Sequence, residues 1–219
     1  MSHPPTPRFA SVVLDVDSTL SGIEGIDWLA ARRGPDVGRL VAELTDRAMR
    51  GETPLGAVYG ERLAAVRPTR DEVAALAAAY AACCAPGAGE ALAALRGAGV
   101  RLSLVSGGLR EAIVPFAATI GVAPGAVHAV GVRFAPDGTY TGFDADSPLT
   151  TSAGKAVVAA ALALPTPVLA VGDGATDLAM RPAVAAFAAF TGFVRRDAIV
   201  AAADHEVASF HRLLELVLG

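Results

Sequence analysis

Three short apolar segments, each ending in small or acidic residues, constrain the fold of this chain more than any other feature. They cover residues 9–14, 100–105 and 168–171 and have the valine- and leucine-rich composition of buried strands. Each segment leads into a helical pattern, and strands that alternate with helices form the parallel sheets of α/β proteins. Because ligands of such sheets bind beyond the carboxyl ends of the strands, we expect the three segment ends to converge on one site.

The chain between the first two segments lacks a strand pattern. Residues 22–84 are rich in Ala, Leu, Glu and Arg, and glycine or proline interrupts them at residues 34–35, 51–54 and 67–68. Thr53 and Thr69 are candidate helix starts, so we predict a helical insertion. A further helix is predicted over residues 88–99. Asp137-Gly138 between alternating residues predicts a β-hairpin over residues 133–142.

Composition and charge exclude several classes of protein. The chain has 219 residues, 53% of them hydrophobic, which is enough to bury a core. Its 18 basic and 22 acidic residues give a net charge of −4 without the basic footprint that nucleic-acid binding requires. The longest apolar runs, such as residues 157–164, fall well short of the ~20 residues of a membrane span. Residues 1–8 contain three prolines and are predicted to be a disordered tail in a cytoplasmic protein.

The two cysteines, Cys83 and Cys84, are neighbours in an alanine-rich helical context. A disulfide between adjacent residues would be strained, so none is expected. Both side chains are therefore predicted to be buried as small apolar groups.

Carboxylates follow two of the three apolar segments. Asp15 and Asp17 come directly after the first segment, and Asp173 and Asp177 follow the third, among glycines that let the backbone approach a ligand. Each pair alone is also compatible with an ordinary turn. Four carboxylates at one sheet edge would repel each other, and oxygen ligands at this density suit Mg²⁺. The sequence therefore predicts a magnesium site at this edge.

Two further features are typical of a phosphate site. Ser106, Gly107 and Gly108 follow the second segment and offer a hydroxyl and unhindered N–H groups at a predicted helix start, which favours anion binding, although such residues also cap ordinary helices. Lys155 is the single lysine beside 17 arginines and begins an apolar helical run. A compact ammonium approaches a phosphate differently from a planar guanidinium. Its retention indicates a role in the site, and a solvated residue at a helix start is the alternative.

In this order and spacing, these features resemble the four motifs of the haloacid dehalogenase superfamily of phosphatases. The resemblance extends from Phe9 to Leu218. Within the superfamily, Glu24, Met49, Arg62 and residues 139–144 resemble the phosphoserine phosphatase branch. The resemblance implies a Rossmann-like parallel-sheet core, formed by residues 9–21 and 85–219, and an inserted helical-bundle cap over residues 22–84.

The resemblance also implies roles for the carboxylates. Asp15 would be the nucleophile that forms an aspartyl-phosphate. Asp17 would protonate the leaving oxygen and then activate water. Asp15, the backbone carbonyl of Asp17, and Asp173 would bind Mg²⁺, and Asp177 would support the water shell of the ion or orient Lys155.

The remaining motif residues would bind the substrate, a small phosphomonoester of the L-phosphoserine type. Those expected to contact the phosphoryl group are Ser106, Gly107, Gly108, Lys155 and Thr176. In the cap, Glu24 would meet the ammonium of phosphoserine and Arg62 its carboxylate. Met49 is also assigned to the substrate pocket.

The residues leave other functions open. The same chemistry would serve a phosphatase for another small phosphate, or a phosphotransferase to another alcohol. A phosphoacceptor signalling domain also combines acidic residues, a hydroxyl and a lysine, but Asp17 and the helical insertion argue against it. Arg196 is either a further anion contact or a solvated residue at a helix start, and the sequence does not decide between a monomer and a homodimer.

Overall fold

The computed structural model describes residues 6–49 and 55–219 as a layered α/β protein. Its strands are β1 (Ser11–Leu14), β2 (Arg101–Leu109), β3 (Val127–Val130), β4 (Val132–Phe134), β5 (Tyr140–Phe143), β6 (Val168–Gly172), β7 (Ala186–Phe190) and β8 (His205–Val207). Its helices are α1 (Gly25–Arg32), α2 (Pro35–Met49), α3 (Leu55–Val66), α4 (Arg70–Ala82), α5 (Ala88–Gly97), α6 (Arg110–Thr119), α7 (Gly154–Ala161), α8 (Ala175–Leu178), α9 (Asp197–Ala202) and α10 (Phe210–Leu218).

Six strands form one parallel sheet, which confirms the α/β prediction. The strand order is β3-β2-β1-β6-β7-β8, and each neighbouring pair is parallel. The chain builds the sheet outward from β1 in one direction, then returns to build it in the other from β6. The order therefore reverses between β1 and β6, and a crevice at such a reversal is where α/β sheets bind ligands.

The end of β2 differs from the prediction. The sequence predicts that this strand stops at Val105 and that Ser106 opens a helix, but β2 continues to Leu109 and α6 begins at Arg110. The register with β3 shifts between Val105 and Leu109, where Leu109 pairs with Val130. Both side chains of this pair are buried, and their pairing places Leu109 in the sheet again. Residues 106–108, between Val105 and Leu109, therefore form an irregular part of the strand.

Helices α1 to α4 occupy the segment for which a helical insertion is predicted. The breaks at residues 34–35 and 67–68 separate helices as expected, and the break at residues 51–54 and the start at Thr53 lie outside the described residues. Thr69 begins α4 with a capping box, in which its side chain accepts from the Glu72 N–H and the Glu72 carboxylate accepts from the Thr69 N–H. Leu63 of α3 and Leu76 of α4 belong to the same hydrophobic cluster as Val13 of β1.

The hairpin predicted around Asp137-Gly138 is confirmed. Strands β4 and β5 pair in antiparallel fashion outside the main sheet. Gly138 has a φ of +86°, a conformation that glycine adopts without steric cost. The turn thus depends on the glycine that indicated it.

The prediction for the cysteines is wrong. Cys83 is exposed and Cys84 is half-buried. The buried face of α4 follows helical spacing through Val73, Leu76 and Tyr80, but α4 ends at Ala82. Cys83 and Cys84 lie beyond the end of the helix, so the helical spacing that buries one face of α4 no longer applies to them.

The segment before β1 is hydrogen-bonded to the C-terminal helix α10. The Arg8 N–H donates to the carbonyl oxygen of Val217 in α10 at 2.7 Å, and residues 1–5 of the predicted tail lie outside the described residues. Among the helices described, none has the length and apolar character to cross a membrane.

Candidate active site

Asp15, Asp173 and Asp177 lie together beyond the carboxyl ends of β1 and β6. One carboxylate oxygen of each residue lies within 4.8 Å of the other two, and all three side chains are buried. A glycine is required before Asp173, because a Cβ atom on Gly172 would lie 2.2 Å from Cγ of Asp177. The fold therefore brings together carboxylates from distant parts of the sequence. Asp173 follows Asp15 by 158 residues, and Asp177 follows Asp173 by four.

Burial and mutual repulsion oppose the ionisation of two of these carboxylates, Asp15 and Asp173. Burial, and then the charge of Asp177, raise the pKa of Asp15 well above its ordinary value, although Lys155 acts in the opposite direction. Burial and Asp177 also raise the pKa of Asp173 to about 6, and Arg196 acts in the opposite direction. Additional positive charge beside Asp15 and Asp173 would therefore favour their ionised forms.

Lys155 supplies part of this charge from the first turn of α7. Its Nζ donates to Oδ1 of Asp15 and to Oδ1 of Asp177, each at 2.6 Å. Burial alone would lower the pKa of Lys155, but the attraction of Asp15 and Asp177 outweighs it and raises the pKa above the ordinary value. The lysine is thus a buried, charged group at the centre of the cluster, and its exposure at a helix start is ruled out.

The cluster fits a bound Mg²⁺ ion. Mg²⁺ prefers oxygen ligands and is usually held by one or two carboxylates together with water and substrate phosphate. A divalent cation among the three oxygens would relieve the repulsion that raises the pKa of Asp15 and Asp173. The Asp17 carboxylate is not a member of the described cluster, and the expected contribution of its backbone carbonyl oxygen stays a prediction.

Asp17 is held beside the cluster by contacts to one carboxylate oxygen. Its Oδ1 accepts from the Tyr80 hydroxyl at 2.6 Å and from the Gly25 N–H at 2.9 Å. Burial, and then the charge of Glu24, raise the pKa of Asp17 to about 7, against the opposing effect of the Tyr80 hydrogen bond. A carboxyl group with a pKa near neutrality is suited to both giving and taking a proton.

Residues 106–108 face Asp17 across the site. The Gly108 N–H donates to the Ser106 hydroxyl oxygen at 3.0 Å, and the Tyr59 hydroxyl donates to the carbonyl oxygen of Gly107 at 2.8 Å. A Cβ atom on Gly108 would lie 3.0 Å from Oδ2 of Asp17. Glycine at this position therefore allows the strand end to approach the carboxylate closely.

The two predicted cap contacts lie near the first turn of α1. The Glu24 carboxylate accepts from the Ser18 hydroxyl at 2.7 Å. Arg62 of α3 donates from Nη2 to Asp27, three residues after Glu24, at 2.7 Å. The Arg62 Nε is buried and has no hydrogen-bond partner in the part of the chain that the structure describes. An unpaired buried donor is unfavourable, so this nitrogen is suited to an acceptor that a ligand supplies.

Two other predicted site residues, Thr176 and Met49, lie in helices. Thr176 lies half-buried in α8, one residue before Asp177. Met49 is the last residue of α2, and its side chain is outside the described residues.

The structure adds side chains that the sequence did not indicate. Tyr80 contacts Asp17 and Tyr59 contacts Gly107, yet both come from alanine- and leucine-containing helices where a tyrosine is usual in a core. Arg196, for which two roles were open, forms an ion pair with Asp173. The sequence left both roles open because β7, the strand that precedes this residue, was not predicted.

Comparisons with known proteins identify the family of the chain. Residues 12–181 match the family described as haloacid dehalogenase-like hydrolase. The phosphoserine phosphatases of Rattus norvegicus and Homo sapiens are each 36% identical to this chain over 207 residues, which cover 93% of the chain and 91% of either relative. A phosphoserine phosphohydrolase-like protein from Francisella tularensis has the same fold, with a TM-score of 0.82 at 24% identity over 94% of this chain and 98% of that one. The chain belongs to the haloacid dehalogenase-like hydrolase family.

Proposed function

We propose that this protein is a Mg²⁺-dependent phosphatase that hydrolyses L-phosphoserine to L-serine and phosphate through an aspartyl-phosphate intermediate. The observation that carries the proposal is the pairing of two unlike carboxyl groups at the end of β1. Asp15 contacts a buried ammonium group, whereas burial raises the pKa of Asp17 to about 7 and this residue lies beside the glycines of residues 106–108. The similarity to phosphoserine phosphatases over most of the chain supports the choice of substrate.

The two carboxyl groups divide the reaction between them. A carboxylate oxygen of Asp15 forms a bond to phosphorus while the bond from phosphorus to the serine oxygen breaks. Asp17 gives its proton to that oxygen, so L-serine leaves as a neutral alcohol. In the second half, the oxygen of a water molecule bonds to phosphorus as the bond from phosphorus to Asp15 breaks, and the water gives a proton to Asp17. Phosphate is released and both carboxyl groups are restored.

Other residues stabilise the charge of the phosphoryl group. Lys155 lies 2.6 Å from Asp15 and provides a fixed positive charge at the attacked phosphorus. We assign the N–H groups and hydroxyl of residues 106–108 and the Thr176 hydroxyl to the phosphoryl oxygens. Asp15, Asp173 and the Asp17 carbonyl would hold Mg²⁺, with Asp177 supporting it, and the ion would supply further positive charge for the same oxygens.

Residues of the helical segment would select the substrate. In this proposal residues 22–84 act as a cap, in which Glu24 binds the ammonium of phosphoserine and Arg62 its carboxylate, next to Met49. The buried, unpaired Nε of Arg62 supports an anionic ligand group at this point. The product L-serine would place the reaction in serine biosynthesis in the cytoplasm.

Phosphate release from a panel of phosphomonoesters, with Mg²⁺ present, tests the proposal. We expect L-phosphoserine to be the preferred substrate. Glu24→Gln and Arg62→Ala should each lower kcat/KM for phosphoserine by roughly 30-fold to several thousand-fold, because the loss of one partner of a buried charge pair costs about 2–5 kcal/mol. Hydrolysis of a simple aryl phosphate, which has neither an ammonium nor a carboxylate group, should change little.

Arg39→Ala is the matched control, because Arg39 lies in α2 with an exposed side chain. Arg39→Ala should leave kcat/KM unchanged for both substrates. Small, parallel effects of the Glu24 and Arg62 variants on both substrates would contradict phosphoserine as the substrate and favour another small phosphate. Transfer of phosphate to an added alcohol at the expense of water would instead identify a phosphotransferase.

A further inference from the structure

Tyr80 belongs to helix α4 and reaches the active site, although it lies far in the sequence from the motifs that carry the chemistry. Its side chain is fully buried, and its ring stacks on Phe116 of α6 with 5.7 Å between the ring centroids. The hydroxyl donates to Oδ1 of Asp17 at 2.6 Å. A buried ring that places a single polar atom on a reactive carboxyl group has two functions, because it packs the core and orients that group.

The two oxygens of Asp17 have different surroundings. Oδ1 accepts two hydrogen bonds, from the Tyr80 hydroxyl and the Gly25 N–H. Oδ2 accepts none from the residues that the structure describes, and a Cβ atom on Gly108 would lie 3.0 Å from it and 3.2 Å from the Ser106 hydroxyl oxygen. Oδ2 therefore faces residues 106–108, whereas a proton on Oδ1 would face two hydrogen-bond donors.

Two further features near Tyr80 accommodate its contact with Asp17. The Ser21 hydroxyl donates to the Tyr80 carbonyl oxygen at 3.0 Å, so the residue is tied at two points to the chain that follows β1. A Cβ atom on Gly25 would lie 2.1 Å from the Tyr80 hydroxyl oxygen. Only glycine at position 25 leaves room for the hydroxyl while its own N–H donates to the same carboxylate oxygen.

We infer that Tyr80 is a positioning residue that fixes Oδ1 of Asp17, so that Oδ2 carries the proton exchanged with the leaving oxygen and with water. The inference rests on the proposed role of Asp17. In the first half-reaction the proton moves from Oδ2 to the leaving oxygen as the bond from that oxygen to phosphorus breaks. In the second half, water gives a proton to Oδ2 as its oxygen bonds to phosphorus and the bond from phosphorus to Asp15 breaks. Tyr80 keeps its own proton throughout.

Tyr80→Phe tests the inference, because it removes the hydroxyl and keeps the ring. Single-turnover phosphorylation is measured with a series of aryl phosphates whose phenols differ in acidity. With the least acidic phenol we expect a loss of about tenfold, since that oxygen depends on a well-aligned proton donor, and with the most acidic phenol we expect almost none. Tyr140→Phe, which changes a buried tyrosine of β5, should match the wild type across the series.

A double-mutant cycle provides a second measurement. In the Asp17→Ala background, Tyr80→Phe should cause no further loss of rate, and it should shift the urea midpoint of unfolding less than it does in the wild type. If Tyr80→Phe unfolds the protein, Gly25→Ala replaces it, because the added Cβ displaces the hydroxyl, and the same dependence on phenol acidity is expected.

An equal loss with every phenol, or additive effects in the cycle, would overturn the inference. These outcomes differ from failure of the proposed substrate, because the aryl series contains no phosphoserine. A wild-type protein that hydrolyses aryl phosphates but not phosphoserine would overturn the substrate alone. A wild-type protein that hydrolyses no phosphomonoester would overturn the proposed function and the role of Tyr80 together.

Discussion

Asp15 is a buried carboxylate whose near neighbours include two further carboxylates. Burial and the charge of Asp177 raise its pKa, which means that folding disfavours the ionised form relative to the unfolded chain. At neutral pH, where the unfolded chain carries Asp15 ionised, this residue therefore lowers the stability of the metal-free protein. The nucleophile that we propose is thus maintained against the stability of the fold.

Asp15→Asn should therefore raise stability and abolish activity. The variant loses the nucleophilic oxygen, so turnover should fall by several orders of magnitude, while the melting temperature of the metal-free protein rises because the repulsion is removed. Mg²⁺ should raise the melting temperature of the wild type more than that of the variant, since a ligand that binds the folded state more tightly stabilises it more. Phosphate release and thermal unfolding, with Mg²⁺ and with excess chelator, measure these effects.

The exposed Asp36, in the first turn of α2, provides the control. Asp36→Asn should keep full activity and the full stabilisation by Mg²⁺. Activity of the wild type in excess chelator would contradict the metal requirement, and activity of a folded Asp15→Asn protein would contradict the nucleophile.

Single residues of the site differed in how far the sequence could identify them. Lys155 stood out because of the composition around it, and the structure places it on Asp15 and Asp177. Tyr80 could not be identified, because its spacing with Val73 and Leu76 on one helix face is typical of a core residue. Local patterns report burial, and the contact of the one polar atom depends on how α4 packs against distant parts of the chain.

Elements of the fold were predictable where their pattern was strong. Strands β1, β2 and β6 have valine- and leucine-rich sequences and were predicted, whereas β3, β7 and β8 were not. Strand β7 reads Ala-Phe-Ala-Ala-Phe, and alanine is depleted in strands. Strand β8 has three residues, two of them His205 and Glu206. Pairing with the sheet, rather than intrinsic preference, fixes these two strands.

Helix α5 leads directly into β2, and its end can be tested with a matched pair of glycines. Gly99 has a φ of +83°, its N–H donates to the Arg96 carbonyl oxygen, and the next N–H, of Val100, donates to that of Leu95. These bonds form a Schellman motif with its usual apolar contact, since Val100 and Leu95 are both buried. Gly89 lies near the start of the same helix, where a Cβ atom would meet nothing within 4 Å.

Gly99→Ala should lower the free energy of unfolding by about 1–2 kcal/mol, because a left-handed backbone conformation is unfavourable for alanine. Gly89→Ala should raise it by roughly 0.5–1 kcal/mol, because alanine loses less backbone entropy in a helix. Urea unfolding of both variants measures the difference. A change of the same sign in both would show that this helix end does not depend on the glycine conformation.

The molecule as a whole assembles its site from regions that lie far apart in the chain. Asp15, Tyr80, residues 106–108, Lys155 and Asp173 come from five separate elements or their ends. One continuous hydrophobic cluster joins the sheet, the helical segment and the C-terminal helix α10. The convergence of the strand ends could be predicted, because a parallel sheet requires it. The way in which α4 closes on Asp17 could not, because no periodic pattern encodes the contact between two packed layers.

The far edge of the sheet provides a test of this assembly that is separate from the active site. The Asp204 carboxylate accepts from Nη2 of Arg181 at 2.6 Å and from the Phe187 N–H of β7 at 2.9 Å. These hydrogen bonds, that of Arg181 first, lower the pKa of Asp204 from 3.8 to about 2. A lowered pKa in the folded state means that the carboxylate stabilises the fold above the unfolded pKa of 3.8, and that this stabilisation is lost as the pH falls toward 2.

Asp204→Asn should therefore reduce the free energy of unfolding by about 1 kcal/mol at pH 7, a modest value because the side chain is 30% exposed and solvent screens the pair. The difference between wild type and variant should stay constant down to about pH 5 and shrink below pH 4, as the wild type loses the carboxylate. Asp197→Asn, which changes an exposed carboxylate near the same edge, should match the wild type throughout. Urea unfolding from pH 7 to pH 3 measures the three curves. A difference that is independent of pH would show that Asp204 acts through shape and not through charge.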